Sequence, residues 1–204
     1  MRSFFNPEND LWHMLGLFGD LVVLSLLWTL CSAPLLTAGA ATAALYDAVV
    51  ADFRLKKTDY IPRFFTCLRR ELKNALLPML LWGLLLFALF FLYGLFTAGL
   101  SGGAGLMLSA GLLVLLLIPL GMFCWVFPML SRFTLDFRTL NANALRLALG
   151  HMPRTLLIAA AAFGAGVLTL RLALLPLFIL PAVLALFWSW LMEPVFRRYE
   201  DAEE

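Results

Sequence analysis

The sequence predicts an all-α bundle of membrane-crossing helices, and three observations carry that prediction. The first is composition. Of 204 residues, 63% are hydrophobic and 14% are charged, with a mean hydropathy of +0.92. Soluble domains run at about 45–50% apolar and about 25% charged, and a soluble fold of this size has no interior large enough to hide such an excess. The second is a series of long apolar runs that lack the period-two alternation of a transmembrane β-barrel. The third is the concentration of all but Arg2 and Arg171 of the basic residues in three segments between or just after those runs. The length suits one membrane domain spanning residues 1–204.

Taken in order, the chain starts with "MRSFFNPENDLW", where Glu8 and Asp10 oppose a single arginine. A secretory signal needs a basic start, so a cleaved leader is not expected. A helix needs about 20 mainly apolar residues to cross about 30 Å of hydrocarbon. Residues 75–97 and 106–130 each satisfy this. The stretch from Thr155 to Phe196 is too long for one helix and is interrupted by Arg171 and Pro176, which splits it into crossings at 155–172 and 175–193.

The loops orient these crossings. Arg54, Lys56, Lys57, Arg63, Arg69, Arg70 and Lys73 fall in one segment, and Arg132, Arg138, Arg146 and Arg154 in a second. Arg197 and Arg198 follow the last crossing, whereas "TAGLSGGAG", residues 97–105, carries no charge. Basic loops stay in the cytoplasm, which places the glycine-rich turn outside and the C-terminus inside. Trp12, Tyr93, Trp125 and Trp190 fall where interfacial aromatic anchors are expected.

The stretch from Gly19 to Lys57 must then end in the cytoplasm. Residues 15–36 cross once, with Pro34 and Gly39 as breaking signals behind them. Residues 37–53 reach about 25 Å as a helix, short for a crossing alone. Gly39, Ala40, Ala43, Ala44 and Ala48 would let that helix pack closely against neighbours. The reading is six helices with the N-terminus inside; the alternative is five, with the N-terminus outside.

Two cytoplasmic segments are amphipathic. In "DYIPRFFTCLRRELKNALLP", Tyr60, Ile61, Phe64, Phe65, Leu68 and Leu72 recur at helical spacing, with Arg63, Arg70 and Lys73 mostly across from them. Such a basic helix suits the headgroup boundary and its anionic lipids. "SRFTLDFRTLNANALRLALGHMPRT" repeats the arrangement. These are either independent interfacial helices or a docking surface for a cytoplasmic protein.

Ionisable groups inside a membrane are functional candidates by default. Asp20 and Asp47 lie in the first two helices, where they could share a polar interior with Ser25, Thr42 and Tyr46 and hold a cation or proton. Alternatively, each sits near the cytoplasmic interface, paired with a basic residue or capping a helix. Arg171 either snorkels to the outer interface or joins a substrate site. Glu193 has favourable helical spacing to Arg197. His13 and His151 have no second ligand at metal spacing. Cys31, Cys67 and Cys124 form no CxxC pattern and are read as packing residues. Phosphate loops, nucleophile elbows and paired-carboxylate motifs are lacking. Neither an enzyme, a cofactor nor a nucleic-acid partner is therefore expected.

The N-terminal third, "FFNPENDLW", "GDLVVLSLLW" and "CSAPLLTAGAATAALYDAV", resembles the YesL family of bacterial membrane proteins. The residues that carry the likeness are Phe5, Asn6, Gly19, Asp20, Leu27, Trp28, Pro34, Thr37, Gly39, Ala40, Ala44, Leu45 and Tyr46. Looser likeness continues through "FFTCLRRELKNAL", "FPMLSRF", "ALGHMPRTLL" and the final "PAVLALFWSWLMEPVFRRYE". Ser25 departs from the pattern, which has asparagine there. The resemblance implies a protein of the bacterial cytoplasmic membrane with an accessory, regulatory or permease-like role beside carbohydrate uptake of the ABC type. The partners to weigh are the lipid bilayer, an ABC transporter permease or other membrane protein, and a second copy in a homo-oligomer.

Overall fold

A computed structural model describes residues 10–54, 59–99, 103–172 and 174–200. Among them every regular element is helical: α1 (Asp10–Ser32), α2 (Ala38–Val49), α3 (Tyr60–Gly99), α4 (Gly103–Arg132), α5 (Phe137–Gly150), α6 (Met152–Arg171) and α7 (Leu180–Glu200). Short 3-10 turns at Leu35–Thr37 and Leu175–Phe178 introduce α2 and α7, and a wider π turn, Val50–Arg54, ends α2. Leu174, at φ 68°, makes the reversal between α6 and α7. Phe5, Asn6, Lys56 and Lys57 lie outside the described residues.

Four stretches are long and apolar enough to cross a membrane: Leu35–Arg54, Tyr60–Gly99, Met107–Arg132 and Met152–Arg171. Gly16–Ser32 is apolar but shorter. Their outer faces present large apolar side chains such as Leu84, Phe87 and Leu170. In water each would cost roughly 1.5–3 kcal/mol relative to burial; in hydrocarbon that cost is absent. The chain is therefore a helical membrane protein.

The centre of the bundle is α2. Its Ala-rich sequence is what allows this position. Between Gly39 and Val49 all residues except Thr42 are buried, and the helix touches α1, α3, α4 and α7. At Gly39, Ala40, Ala41, Ala43, Ala44 and Ala48 no side chain is larger than a methyl group, which lets neighbouring helices approach α2 closely. Two clusters pack around it. One joins Tyr46, Met122, Trp125, Phe127, Met192 and Phe196. The other joins Leu24, Ala44, Leu45, Phe64, Cys67 and Ala182.

Three expectations are corrected. The segment from Tyr60 to Lys73 is not an interfacial helix separate from the crossing at 75–97; both belong to α3, which runs 40 residues, about 60 Å. Pro78 does not break it, because neighbouring helices in a bundle compensate for the lost bond. Nor do the apolar residues of that segment share one side: Phe64 is buried, whereas Ile61, Phe65 and Leu72 face outward. Trp125 is no interfacial anchor. It is fully buried, edge-on to Phe196 at 5.9 Å, and donates to Thr155 Oγ1 at 3.0 Å. Trp190, by contrast, is exposed as an anchor would be.

Candidate functional site

The level of α2 along α3 places the polar groups. Gly39 lies against Met79, and Asp47 lies opposite Arg63. So α2 runs beside the first half of α3, and its C-terminal end meets the charged end of the bundle. There the first turns of α3 aim a stripe inward: Tyr60, Arg63, Phe64, Cys67 and Glu71, at spacings of three and four.

Asp47 is buried and accepts two hydrogen bonds from Arg63, Nε to Oδ2 at 2.7 Å and Nη2 to Oδ1 at 2.9 Å. This fork geometry is the strongest pairing open to a carboxylate. Asp20 accepts from the Tyr60 hydroxyl at 2.6 Å instead of from a basic residue. Both carboxylates therefore face the start of α3, held by partners one turn apart. Ser25 and Thr42 are engaged elsewhere. Ser25 Oγ accepts from the backbone N–H of Ala182, an otherwise orphaned donor at the start of α7, and Thr42 accepts from Trp28 Nε1 at 3.1 Å.

Tyr46 belongs to a second group. Its hydroxyl donates to Glu193 Oε1 at 3.2 Å, and Arg132 donates to the same oxygen, from Nη2 at 2.6 Å and Nε at 3.1 Å. The helical pair expected between Glu193 and Arg197 does not form. Glu193 is buried while Arg197 is exposed on the outer face of α7, so the carboxylate takes the arginine that enters the core from α4. A third group joins Arg70 to Glu71 and to the Ser131 carbonyl, with Asn74 donating to Glu71. Arg54 Nη1 donates to the Ser189 carbonyl at 2.8 Å. The expectation that Arg63 and Arg70 lie across from the packed face is thus corrected: their charged ends turn in to meet carboxylates.

Arg171 is exposed at the C-terminal end of α6, away from this charged end, so it does not join Asp20 and Asp47. Arg69, Lys73 and Arg138 are exposed, as are Arg146 and Arg198. His151 stacks on Trp125 at 6.5 Å between centroids, and partial burial, then Arg154 and Arg198, lower its pKa from 6.5. No group of three metal-ligating side chains occurs among the described residues.

Residues 21–95 match a family model described as "Protein of unknown function, DUF624". The matched stretch begins one residue after Asp20 and takes in α2, its π turn and nearly all of α3, including Asp47 and Arg63. The hub helix and the inward stripe it meets are therefore the part that resembles this uncharacterised family. No curated protein and no solved structure matches the chain.

Sequence reasoning passed over Asp52, Glu71 and the inward role of Tyr60. Asp52 sits in the π turn with Oδ2 buried and without a hydrogen-bond partner. Glu71 is buried with Arg70 beside it. A signal existed for Glu71: it falls on the same side of α3 as Phe64 and Cys67. For Asp52 no local pattern existed, because its burial depends on how α2 ends.

Proposed function

We propose that this chain is a non-catalytic accessory subunit that docks another membrane protein through its basic end. The carrying observation is a division of labour among charges. Asp47, Glu71 and Glu193 turn inward onto arginines, while Arg69, Lys73, Arg138, Arg146, Arg197 and Arg198 stay exposed at the same end. Inward pairs hold the helices in register. The outward cations add nothing to that packing and suit an acidic partner surface or anionic headgroups. The resemblance to the YesL family suggests the partner, a permease of ABC-type carbohydrate uptake in the bacterial cytoplasmic membrane. With the C-terminus inside, the basic end faces the cytoplasm, as this role requires; six crossings would put the N-terminus there as well.

The test is affinity purification from native membranes of the wild type and of a triple variant, Arg69→Glu, Lys73→Glu and Arg138→Glu. A permease should co-purify with the wild type and be lost from the variant at unchanged melting temperature. Recovery of the wild type as a lone monomer at native expression would sink the reading.

A second reading is a transporter subunit with a polar pathway near Asp20 and Asp47. The orphaned Asp52 oxygen favours it, since buried polar groups without partners mark places where an ion or water can sit. Unchanged solute uptake with both Asp20→Asn and Asp52→Asn would remove that reading.

A further inference from the structure

A groove of about 230 Å³ lies between α4, the last turns of α5 and the first turns of α6. Val114, Leu117, Ile118, Leu145, Leu149 and Leu156 supply much of its wall, which is almost wholly apolar. The groove opens sideways, since Val114 is 66% exposed, Ile118 54% and Leu149 55%. Its depth follows from the contacts of α5. Asn141 accepts from Trp82 Nε1 at 2.7 Å. Seven residues on, the Ala148 carbonyl accepts from Thr155 Oγ1, which lies against Gly121 and accepts from Trp125 Nε1. In the antiparallel pair of α3 and α4, where Arg70 meets the Ser131 carbonyl, Trp82 and Gly121 stand at nearly the same level. Asn141 and Ala148 therefore share that level, and α5 lies across α3 and α4 instead of along them.

The level of α5 is where charge stops on α3. Lys73 is the last charged residue of that helix, and Leu76 to Gly99 carry none. The exposed face of α5 presents Arg138 and Arg146 at this boundary. Arg146 stands within one turn of both Leu145 and Leu149, the two leucines that α5 gives to the groove. Neither arginine is ion-paired among the described residues. Val114, Leu117 and Ile118 lie further along α4, toward Gly103 and away from Arg132, so the groove starts beside Arg146 and runs into the hydrocarbon. A free cation at the rim and an apolar slot beneath it complement an anionic headgroup with its acyl chain. We propose that the groove holds one acyl chain of an anionic glycerophospholipid, whose phosphate meets the Arg146 guanidinium. A zwitterionic lipid offers the same chain, but its own cation opposes the arginine. This goes beyond the docking role and does not depend on it.

The test uses the full chain in dodecyl maltoside, with lipid retention read by native mass spectrometry. The probes are dioleoyl phosphatidylglycerol and dioleoyl phosphatidylcholine, which share their acyl chains. Wild type should retain one lipid and prefer phosphatidylglycerol by about fivefold, the effect of one arginine near the membrane surface. Arg146→Gln should bind the two lipids equally, whereas Arg197→Gln, a change of the same charge on α7, should keep the preference. Equal retention by the wild type, or a preference that survives Arg146→Gln, would overturn the headgroup contact; the first comparison needs no variant to fold. The groove is tested separately with a phosphatidylglycerol that carries a diazirine on one acyl chain. Its crosslinks should concentrate on residues 114–122 and 145–159. Crosslinks spread evenly over the outer faces of α3, α6 and α7 would show an annular lipid shell only and overturn the groove as the site.

Discussion

Gly39 is the position where the hub packing of α2 can be tested most directly. A Cβ built there would stand 2.5 Å from Phe127 Cε1, 3.0 Å from Phe127 Cζ and 3.3 Å from Met79 Cβ. Phe127 cannot swing away freely: it is fully buried and edge-on to Phe123 at 4.7 Å. Met79 Cβ is fixed to the α3 backbone. Gly39→Ala therefore overpacks at about 1–3 kcal/mol, against which the helix gains about 1 kcal/mol from losing a glycine. The net is a loss of about 0–2 kcal/mol. Gly39→Leu adds three more heavy atoms to a closed space and should cost about 3 kcal/mol or more. At roughly 2–4 °C per kcal/mol for a chain of this size, its melting temperature should fall by about 6–12 °C. Thermal melting in detergent, read by circular dichroism, measures this. Gly94→Leu is the control, because an added Cβ there meets nothing within 4 Å, and it should melt within about 2 °C of wild type. Phe127→Leu removes the clashing ring and should recover part of the Gly39→Ala loss, a coupling of neighbours that distant sites do not show. If Gly39→Leu melts with the wild type, α2 is not packed as described.

Two further outcomes follow from the charged end. Arg132 and Glu193 are 20% and 5% exposed at their side chains, and Arg132→Gln, which strands the Glu193 carboxylate, should cost about 3–5 kcal/mol; the double change Arg132→Met with Glu193→Leu should recover most of that in the same melting assay, and an additive loss would refute the pairing. For topology, a cysteine introduced at Ser3 in a chain with its three native cysteines replaced should resist an impermeant external thiol reagent if there are six crossings; labelling from outside would establish five.

Much of the architecture was legible in one dimension because the bilayer simplifies the problem. A run of apolar residues long enough to cross hydrocarbon must be helical, since no water is present to satisfy free backbone groups. Composition alone therefore set the class, and Gly39, Ala40, Ala43 and Ala44 marked α2 as the helix that others approach. The partners of the charges were not legible. Asp47, Glu71 and Glu193 each had several arginines within sequence reach, and helical spacing favoured Arg197 for Glu193. The choice fell to Arg132 because α7 crosses the bundle so that Glu193 faces the inner end of α4. Amphipathic spacing also misassigned α3, since it counts an arginine as outward whatever waits inside. The pattern of residues along the chain was enough to read a helical membrane protein with a close-packed Ala-Gly helix. Which cations at the charged end are spent on buried carboxylates and which remain outside was decided only in three dimensions, because that depends on the depth at which α2 slides along α3.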